Sequence, residues 1–347
     1  MRYFIPEWDD RVDPKYNFAT DEHSKEHREN PFSDHYMWHI FEGNEVPFDG
    51  ILVSRAKLEE NKKKLELAFQ DGIRKFLRLP SSFPIMGDCG AWGYIDQDIP
   101  PYDAVEILDY YCKLGLDIGV TVDHLVVPKF VDKKQQRMQI TFENGLKGYD
   151  AWKKSYMHDF KLLVAVQGWD IQDYVKMYLD YHRHGVRSFG FGGLARSPSS
   201  YIKALVDELM KAINVEKAMP EHIHFFGLGR FSLLTEFKRL EERGIEVSFD
   251  TASWLRRAWL SGINYYTVDD RLGGYRAIRI PQIGRRTGLR GKKKITSGAD
   301  LELLRRAEED SLSRLRAYDQ GKVEIQSVME ALHQYSQLTG IGQDLES

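Results

Sequence analysis

Residues 162–193 read LLVAVQGWDIQDYVKMYLDYHRHGVRSFGFGG, and this stretch contains the pattern that decides the fold. Two short runs of apolar and β-branched residues, at 162–168 and 187–193, flank a segment with helical periodicity at 171–184. Gly185 follows that segment, as expected at the end of a helix. A strand, a helix and a second strand in this order predict a βαβ unit with two parallel strands.

The same alternation recurs from about residue 48 to residue 260. Further strand-like runs that end in Ser, Gly or Asp lie at 50–54, 84–88, 118–123, 223–229 and 246–250. The helical patterns beside them lie at 56–70, 103–114, 136–159, 199–212, 232–242 and 253–260. Seven or eight such units favour a closed (β/α)8 barrel, the TIM barrel of the α/β class, over an open doubly wound sheet.

The remaining sequence lies on either side of this barrel. We predict an irregular N-terminal extension over 1–47, the barrel over 48–262 and a C-terminal appendage over 263–347. The appendage contains a β-hairpin or irregular insertion at 264–283 and two helical patterns at 299–318 and 322–338. We expect this appendage to complete the barrel.

Composition excludes several classes of protein. The 347 residues are 42% hydrophobic and 29% charged, which is typical of a soluble globular chain. No apolar run approaches the ~18 residues of a membrane span, and the first residues lack a secretory signal pattern, so we predict a cytoplasmic protein without a membrane partner. Cys89 and Cys112 are the two cysteines, too few for a disulfide framework or a four-thiolate zinc site. The net charge of −3 means that a nucleic acid would need a local basic patch.

The predicted strand ends carry a set of polar side chains. Catalytic groups of a parallel barrel come from the carboxyl ends of its strands. Those positions hold three carboxylates, one amide and a glycine pair: Asp88, Asp123, Asp250, Gln167 and Gly192–Gly193. Carboxylates that converge at one opening require a ligand or shifted pKa values. Taken singly, each has a simpler interpretation: an Asp also caps the next helix, a glycine pair also makes a tight turn, and a Gln also fills a polar barrel end.

Six segments, in this order, resemble motifs of the tRNA-guanine transglycosylases. They are PIMGDCGAW (84–92), VDHLVVP (122–128), VAVQGWD (164–170), FGFGGLAR (189–196), HFFGLGR (224–230) and SFDTASWLRRA (248–258). The GGLA loop matches the family most closely, and the resemblance covers residues 48–260.

The resemblance implies a role for each strand-end residue. Asp250 would be the nucleophile that attacks C1′ of a nucleotide, expels guanine and forms a covalent glycosyl-enzyme. Asp88 would be the general acid and base for the proton of the departing or incoming base. The base itself would be held by Asp123, Gln167 and the backbone of Gly192, Gly193 and Leu194.

The chain departs from the tRNA enzymes after the nucleophile. Their Cys-x-Cys-x-x-Cys and His zinc site is absent, since no cysteine follows Cys112. Without this site, and with an aromatic N-terminal segment and the variant Asp-Cys-Gly-Ala motif, the chain resembles the divergent DNA-guanine transglycosylases, the DpdA family. That resemblance implies exchange of guanine in DNA for 7-cyano-7-deazaguanine or a related 7-deazaguanine. It implies no metal, redox cofactor or ATP for the exchange, and it leaves the need for a helper ATPase open.

Several cations are candidate contacts to nucleic-acid phosphates. A basic segment at 285–294, RRTGLRGKKK, contains Arg285, Arg286, Arg290, Lys292, Lys293 and Lys294. Arg196 follows the GGLA loop, and Arg256 and Arg257 follow the predicted nucleophile. Such cations bind a phosphate backbone with a strong dependence on salt. A solvated surface loop is the alternative interpretation of the basic segment.

Three other functions compete with exchange of guanine in DNA. The same chemistry on tRNA is the first, although the missing zinc module weighs against it. A catalytically inactive barrel that binds nucleic acid is the second, although three acids facing phosphates would not help such a protein. An unrelated barrel enzyme, such as an aldolase or a phosphate-sugar hydrolase, is the third, and no strand-end Lys is placed for Schiff-base chemistry.

Overall fold

The computed structural model describes residues 1–17, 22–41, 46–253, 263–269, 273–278 and 298–339. In chain order its strands are β1 (Arg2–Pro6), β2 (Arg11–Val12), β3 (His35–Tyr36), β4 (Gly50–Ser54), β5 (Ile85–Asp88), β6 (Ile118–Val120), β7 (Lys161–Val166), β8 (Ser188–Phe191), β9 (His222–Phe225), β10 (Glu246–Asp250), β11 (Ile263–Asp269) and β12 (Gly273–Ile278). Eight parallel strands close a barrel in the order β1-β10-β9-β8-β7-β6-β5-β4. The predicted α/β barrel is therefore confirmed.

Helices alternate with the barrel strands from β4 onward. The α-helices of the described residues are Lys25–Glu29, Met37–Ile40, Arg55–Glu59, Lys62–Asp71, Ile73–Phe76, Glu106–Leu114, Lys134–Ser155, Ile171–Arg183, Ser199–Glu216, Leu234–Glu241, Gly298–Asp319 and Ile325–Thr339, and short 3₁₀ helices span Pro31–Ser33, Pro128–Lys133 and Phe231–Leu233. Within this described part of the chain, no helix has both the length and the apolar character needed to cross a membrane.

Strand β1 corrects the predicted N-terminal extension. Its residue Phe4 pairs with Asp250 of β10 on one side and with Gly50 of β4 on the other. The strand was missed because its five residues precede an irregular, acidic and aromatic stretch rather than a helical pattern. All strands of the closed barrel lie within residues 2–250, so β1 closes the sheet and the C-terminal appendage is not needed for that purpose.

A buried ion pair fixes the end of β1. The Nζ atom of Lys64 lies 2.6 Å from Oε2 of Glu7 and 2.7 Å from Oδ1 of Asp9. Lys64 and Glu7 are both almost fully buried. Removing one member of such a pair leaves an uncompensated buried charge, which destabilises a protein strongly. The segment after β1 is therefore tied to the helix Lys62–Asp71.

The barrel interior is apolar on one side and polar on the other. Phe4, Leu52, Met86, Ile118, Val120, Leu163 and Ala165 form one buried cluster with Phe226. The remaining interior includes His222 and His224 of β9 and Ser248 of β10, none of which is exposed to solvent. Buried polar groups of this kind need hydrogen-bond partners, so this side of the interior must form a network.

Several predicted boundaries shift in the structure. The run at 118–123 is a strand only to Val120, and Asp123 follows in a segment without regular secondary structure. The helix predicted at 56–70 breaks at Asn61, whose side chain accepts a hydrogen bond from Lys64 N–H and starts a new helix. The predicted hairpin is present as antiparallel β11 and β12, whose turn lies outside the described residues. The helix predicted at 253–260 lies outside them too, apart from its first residue.

The chain divides into two units by its internal contacts. The first unit, residues 1–11 and 36–256, contains the barrel. The second unit, residues 12–35 and 257–347, contains the hairpin strands and the two C-terminal helices, which pack on each other through Leu304, Ala307, Val328, Leu332 and Tyr335.

Candidate active site

A cavity of about 390 Å³ opens at the carboxyl ends of the barrel strands. Its lining comes from β1, β4, β5, β6, β8, β9 and β10 or from the segments that directly follow them. It includes Trp8, Ser54, Asp88, Trp92, Asp123, Gly192, Gly193, Arg196, Gly227 and Asp250. The structure thus brings the three predicted carboxylates to one cavity. Neither Asp88 nor Asp123 is the N-cap of the following helix, because those caps are Val105 and Val127.

Asp250 is the last residue of β10 and is anchored through one oxygen. Its Oδ1 accepts a hydrogen bond from Gly227 N–H at 2.8 Å and lies 3.3 Å from Nε2 of His224. Gly227 has a φ of +72°, a conformation that favours glycine and aims its N–H at the carboxylate. Among the described residues no donor contacts Oδ2, so this oxygen is available to a substrate in the cavity.

Asp88 is the last residue of β5 and is placed to hold a proton. Its pKa is raised from 3.8 to about 7, and burial is the largest cause. The negative charges of Asp123 and Asp250 also raise this pKa, whereas hydrogen bonds from Ser54 and Gly90 lower it in part. Its Oδ1 is shielded from solvent and has no hydrogen-bond partner in the described part of the chain. An ionised carboxylate in this position is poorly compensated, which favours the neutral acid.

Asp123 is held from both sides by protein donors. Its Oδ1 accepts from Cys89 Sγ at 3.1 Å and its Oδ2 from Gln167 Nε2 at 2.6 Å. The pKa of Asp123 is raised by burial, and the pKa of the Cys89 thiol lies well above its usual value for the same reason. Tyr94 completes the cluster by donating to the Asp123 carbonyl at 2.8 Å. A carboxylate has about four acceptor positions, so capacity remains for a ligand.

Gln167 has a different place from the one predicted. It is fully buried and does not line the cavity. It lies beneath the Gly192–Gly193 turn, where a Cβ on Gly192 would come within 2.2 Å of Gln167 Nε2. The space at Gly192 is therefore tight, and the Gln167 amide donates to the Asp123 carboxylate. Leu194 is also buried, and its side chain belongs to the core on the outer face of the strands.

Two tryptophans with cations beside them stand at the cavity. Lys57 Nζ lies 5.8 Å from the ring centroid of Trp8, and the Arg196 guanidinium lies 5.3 Å from that of Trp92. Trp92 is 49% exposed, whereas Trp169, which lies three residues after β7, packs against the core on the outer face of the strands. Exposed aromatic faces with nearby cations are the groups that stack on nucleic-acid bases.

The other predicted phosphate contacts lie outside the described residues. They are Arg256, Arg257, Arg285, Arg286, Arg290, Lys292, Lys293 and Lys294. Ser54, Cys89, Tyr94 and the histidines of β9 also contact the site, and none of them was predicted to do so. Cys89 could have been found because it directly follows Asp88. The histidines could have been found from the His-x-His pattern of β9, since β10 carries a Ser-x-Asp pattern that ends at the predicted nucleophile.

Two other features of the described residues bring polar groups together outside this cavity. A cleft of about 610 Å³ lies between residues 99–104 and the helix Lys134–Ser155, but its carboxylates, Asp103 and Glu143, are exposed. Asp13, His23 and His27 bring potential metal ligands together. However, the two imidazole rings stack with centroids 3.7 Å apart, and Nδ1 of His27 contacts Asp34 at 2.7 Å. Stacked rings direct their lone pairs along parallel planes, which disfavours one shared ion.

The chain is similar over nearly its whole length to a known protein. A DNA-guanine transglycosylase of Salmonella montevideo is 28% identical to this chain over 359 aligned positions, which cover 97% of this chain and 82% of the relative. No family model matches the chain. An alignment over nearly the whole chain, together with the closed barrel and the carboxylates at its strand ends, supports the assignment of this chain to the DNA-guanine transglycosylases, a family of pentosyltransferases.

Proposed function

We propose that this protein exchanges guanine in DNA for a 7-deazaguanine base, such as 7-cyano-7-deazaguanine, through a glycosyl ester on Asp250. One observation carries this proposal: the cavity holds two carboxylates in different environments. Asp250 is anchored by an N–H group and an imidazole, while Asp88 has a pKa of about 7 and an unpartnered buried oxygen. A pair of carboxylates whose environments differ in this way suits a nucleophile and a general acid.

The first half of the reaction uses both groups at once. Oδ2 of Asp250 forms a bond to C1′ of the target nucleotide, and the C1′–N9 bond breaks with its electron pair going to the base. Protonated Asp88 donates its proton to the departing guanine, which avoids a free anion. The target base must leave the DNA stack before C1′ becomes accessible, so flipping or a single-stranded substrate is required.

The second half reverses these roles. The incoming 7-deazaguanine loses its N9 proton to the Asp88 carboxylate and its nitrogen forms a bond to C1′. The C1′–Oδ2 bond breaks, and its electron pair returns to Asp250. The exchange consumes no proton and changes no oxidation state, so it needs neither a redox cofactor nor ATP.

Asp123 is proposed to select the base. Its carboxylate, held by Cys89 and Gln167, faces the cavity and accepts from the N1–H and 2-amino donors of a guanine-like ring. The backbone of Gly192 and Gly193 forms the adjoining wall. Gln167 takes part by orienting Asp123 rather than by contacting the base, and Leu194 contributes through its backbone.

Asp123→Asn is expected to raise the KM for guanine by about 10- to 100-fold, because a charged acceptor for two donors is lost. The preference for guanine over hypoxanthine, which lacks the 2-amino donor, should narrow at the same time. Steady-state exchange with each labelled base measures both quantities. An unchanged preference in the variant would assign base selection to another residue.

The basic segment 285–294 is proposed to contact DNA phosphates together with Arg196, Arg256 and Arg257. Changing Lys292, Lys293 and Lys294 to Ala is expected to reduce the slope of log affinity for DNA against log salt concentration by about 2 to 3. Each lost phosphate contact accounts for about 0.9 of this change. Fluorescence anisotropy from 50 to 200 mM salt would measure this slope. Lys153→Ala with Lys154→Ala, at exposed positions, is the matched control, and a slope equal to this control would remove the segment from the interface.

Base exchange itself tests the proposed function. The protein alone is incubated with labelled guanine or 7-cyano-7-deazaguanine and, in parallel, with duplex DNA, single-stranded DNA or tRNA. Incorporation into DNA is expected, and the two DNA forms separate flipping from single-strand recognition. Incorporation into tRNA alone would replace the proposal with the tRNA reaction. Tight DNA binding without exchange of any base would identify an inactive binding barrel.

A further inference from the structure

A row of buried polar side chains runs along β9 and β10 to Asp250. His222 and His224 alternate on β9, and His224 pairs in register with Ser248 of the parallel strand β10. Nε2 of His222 lies 2.6 Å from Oγ of Ser248, which lies 2.8 Å from Nδ1 of His224. Nε2 of His224 then lies 3.3 Å from Oδ1 of Asp250. His222, His224 and Ser248 are fully buried, and Asp250 is 8% exposed.

The contacts of this row determine where its protons lie. Burial lowers the pKa of His222 to about 2, with the cations Lys161 and Arg2 adding to the effect, so its imidazole is neutral. Nδ1 of His222 has no partner within the described residues, and Nε2 therefore carries the proton and donates to Ser248. Ser248 in turn donates its hydroxyl proton to Nδ1 of His224. His224 is left with its proton on Nε2, which faces Asp250.

We propose that His224, with its tautomer fixed by Ser248 and His222, is a positioning residue for the nucleophile. Its Nε2–H and the Gly227 N–H both donate to Oδ1 of Asp250, and this pairing leaves Oδ2 for the attack on C1′. A row without Ser248 would permit the other tautomer, whose Nε2 lone pair would face the carboxylate and repel it. The inference rests on the proposed function of Asp250.

The same two donors serve the covalent intermediate. When Oδ2 forms its bond to C1′, Oδ1 becomes the carbonyl oxygen of the ester. When the incoming base displaces the ester, the electron pair of the C1′–Oδ2 bond returns to the carboxylate and is shared with Oδ1. Donors already in place at that oxygen stabilise the leaving carboxylate without reorganisation. No proton moves along the row in either step.

A purely structural row would fill the barrel without acting on Asp250, and conservative variants separate the two roles. His224→Leu is expected to slow formation of the trapped protein–DNA adduct by about 100-fold, the usual loss for one such donor. The DNA concentration that gives half-maximal rate should stay unchanged. His224→Gln keeps an N–H near the position of Nε2 and should recover most of the rate. Ser248→Ala should slow the adduct and Ser248→Thr should not.

Ser188→Ala is the matched control, since Ser188 is a buried serine in register with His222 on the neighbouring strand β8. It should leave the adduct rate unchanged. Equal rates for His224→Leu and wild type, or equal losses in His224→Leu and His224→Gln, would overturn the positioning role.

A measurement that does not depend on activity accompanies these rates. Nitrogen-15 NMR of histidine-labelled protein is expected to show a proton at Nε2 of both buried imidazoles, with a mixture of tautomers for His224 in Ser248→Ala. A His224 proton on Nδ1 in the wild type would overturn the inference. Expected tautomers in a protein that forms no adduct would contradict the proposed function while leaving the hydrogen bond to Asp250 established.

Discussion

Asp250→Asn is expected to abolish the covalent protein–DNA adduct and to lower base exchange by about 10⁴-fold or more. The amide has nearly the same shape as the carboxylate, and its carbonyl oxygen can still accept from Gly227 N–H, so the end of β10 should keep its conformation. An amide is nevertheless a very poor nucleophile towards C1′. The measurement is the yield of adduct on a denaturing gel after incubation with DNA in the absence of an incoming base.

A matched control for this variant is Asp207→Asn, at an exposed position on the helix Ser199–Glu216. It should form the adduct at the wild-type rate. Circular dichroism and thermal unfolding of both variants would show that the barrel is intact. An adduct that persists in Asp250→Asn at wild-type yield would assign the nucleophile to a different residue.

Asp88 is expected to give the two halves of the reaction opposite dependences on pH. Adduct formation needs the protonated acid, so its rate should be constant below the pKa of about 7 and fall about tenfold per pH unit above it. Consumption of the adduct by an incoming base needs the carboxylate and should rise up to the same pH. Asp88→Asn should lower both rates by about 10²- to 10⁴-fold and remove both dependences. Single-turnover rates between pH 5.5 and 8.5 would measure this.

The stability of the protein gives an independent measure of the same proton. The pKa of Asp88 in the folded state is above its ordinary value of 3.8, so the folded state binds this proton more tightly than the unfolded state. The contribution to the free energy of unfolding is therefore complete below about pH 4 and is lost as the pH rises to about 7. Asp88→Asn should lack this decline, which is on the order of a few kcal/mol.

Urea unfolding of wild type and Asp88→Asn at pH 4, 5.5 and 8 would measure the difference. The variant should gain stability relative to the wild type as the pH rises. Parallel curves for the two proteins would mean that Asp88 titrates at its ordinary pKa, and the assignment of the general acid would then be wrong.

The strand ends explain how much of the fold and the site could be predicted. Asp88 and Asp250 were each predicted at the end of a strand, and each is the last residue of one. This succeeded because a strand and its following helix are local features that leave a periodic pattern. Strand β1 has no helix directly after it, and its place between β4 and β10 depends on pairing across about 45 and 245 residues, respectively.

The contacts within the site were less predictable than its members. Gln167 was predicted to meet a ligand, but the Gly192–Gly193 turn covers it and directs its amide to Asp123. Cys89 was counted as one of two cysteines, while its thiol is a donor to the same carboxylate. Such partners depend on the register between strands and on depth in the barrel, neither of which a single sequence reports.

The closure of the barrel by Arg2–Pro6 has a practical consequence for anyone who wishes to shorten this protein. A version that starts at residue 48, where the barrel pattern first becomes visible, would lack the strand between β4 and β10 and would expose the unpaired backbone of both. Open edges of this kind invite pairing between molecules and aggregation. Because Phe4 pairs with Asp250, the same deletion would also unseat the residue proposed to attack the sugar. Solubility and chemistry therefore depend on the same five residues at the start of the chain.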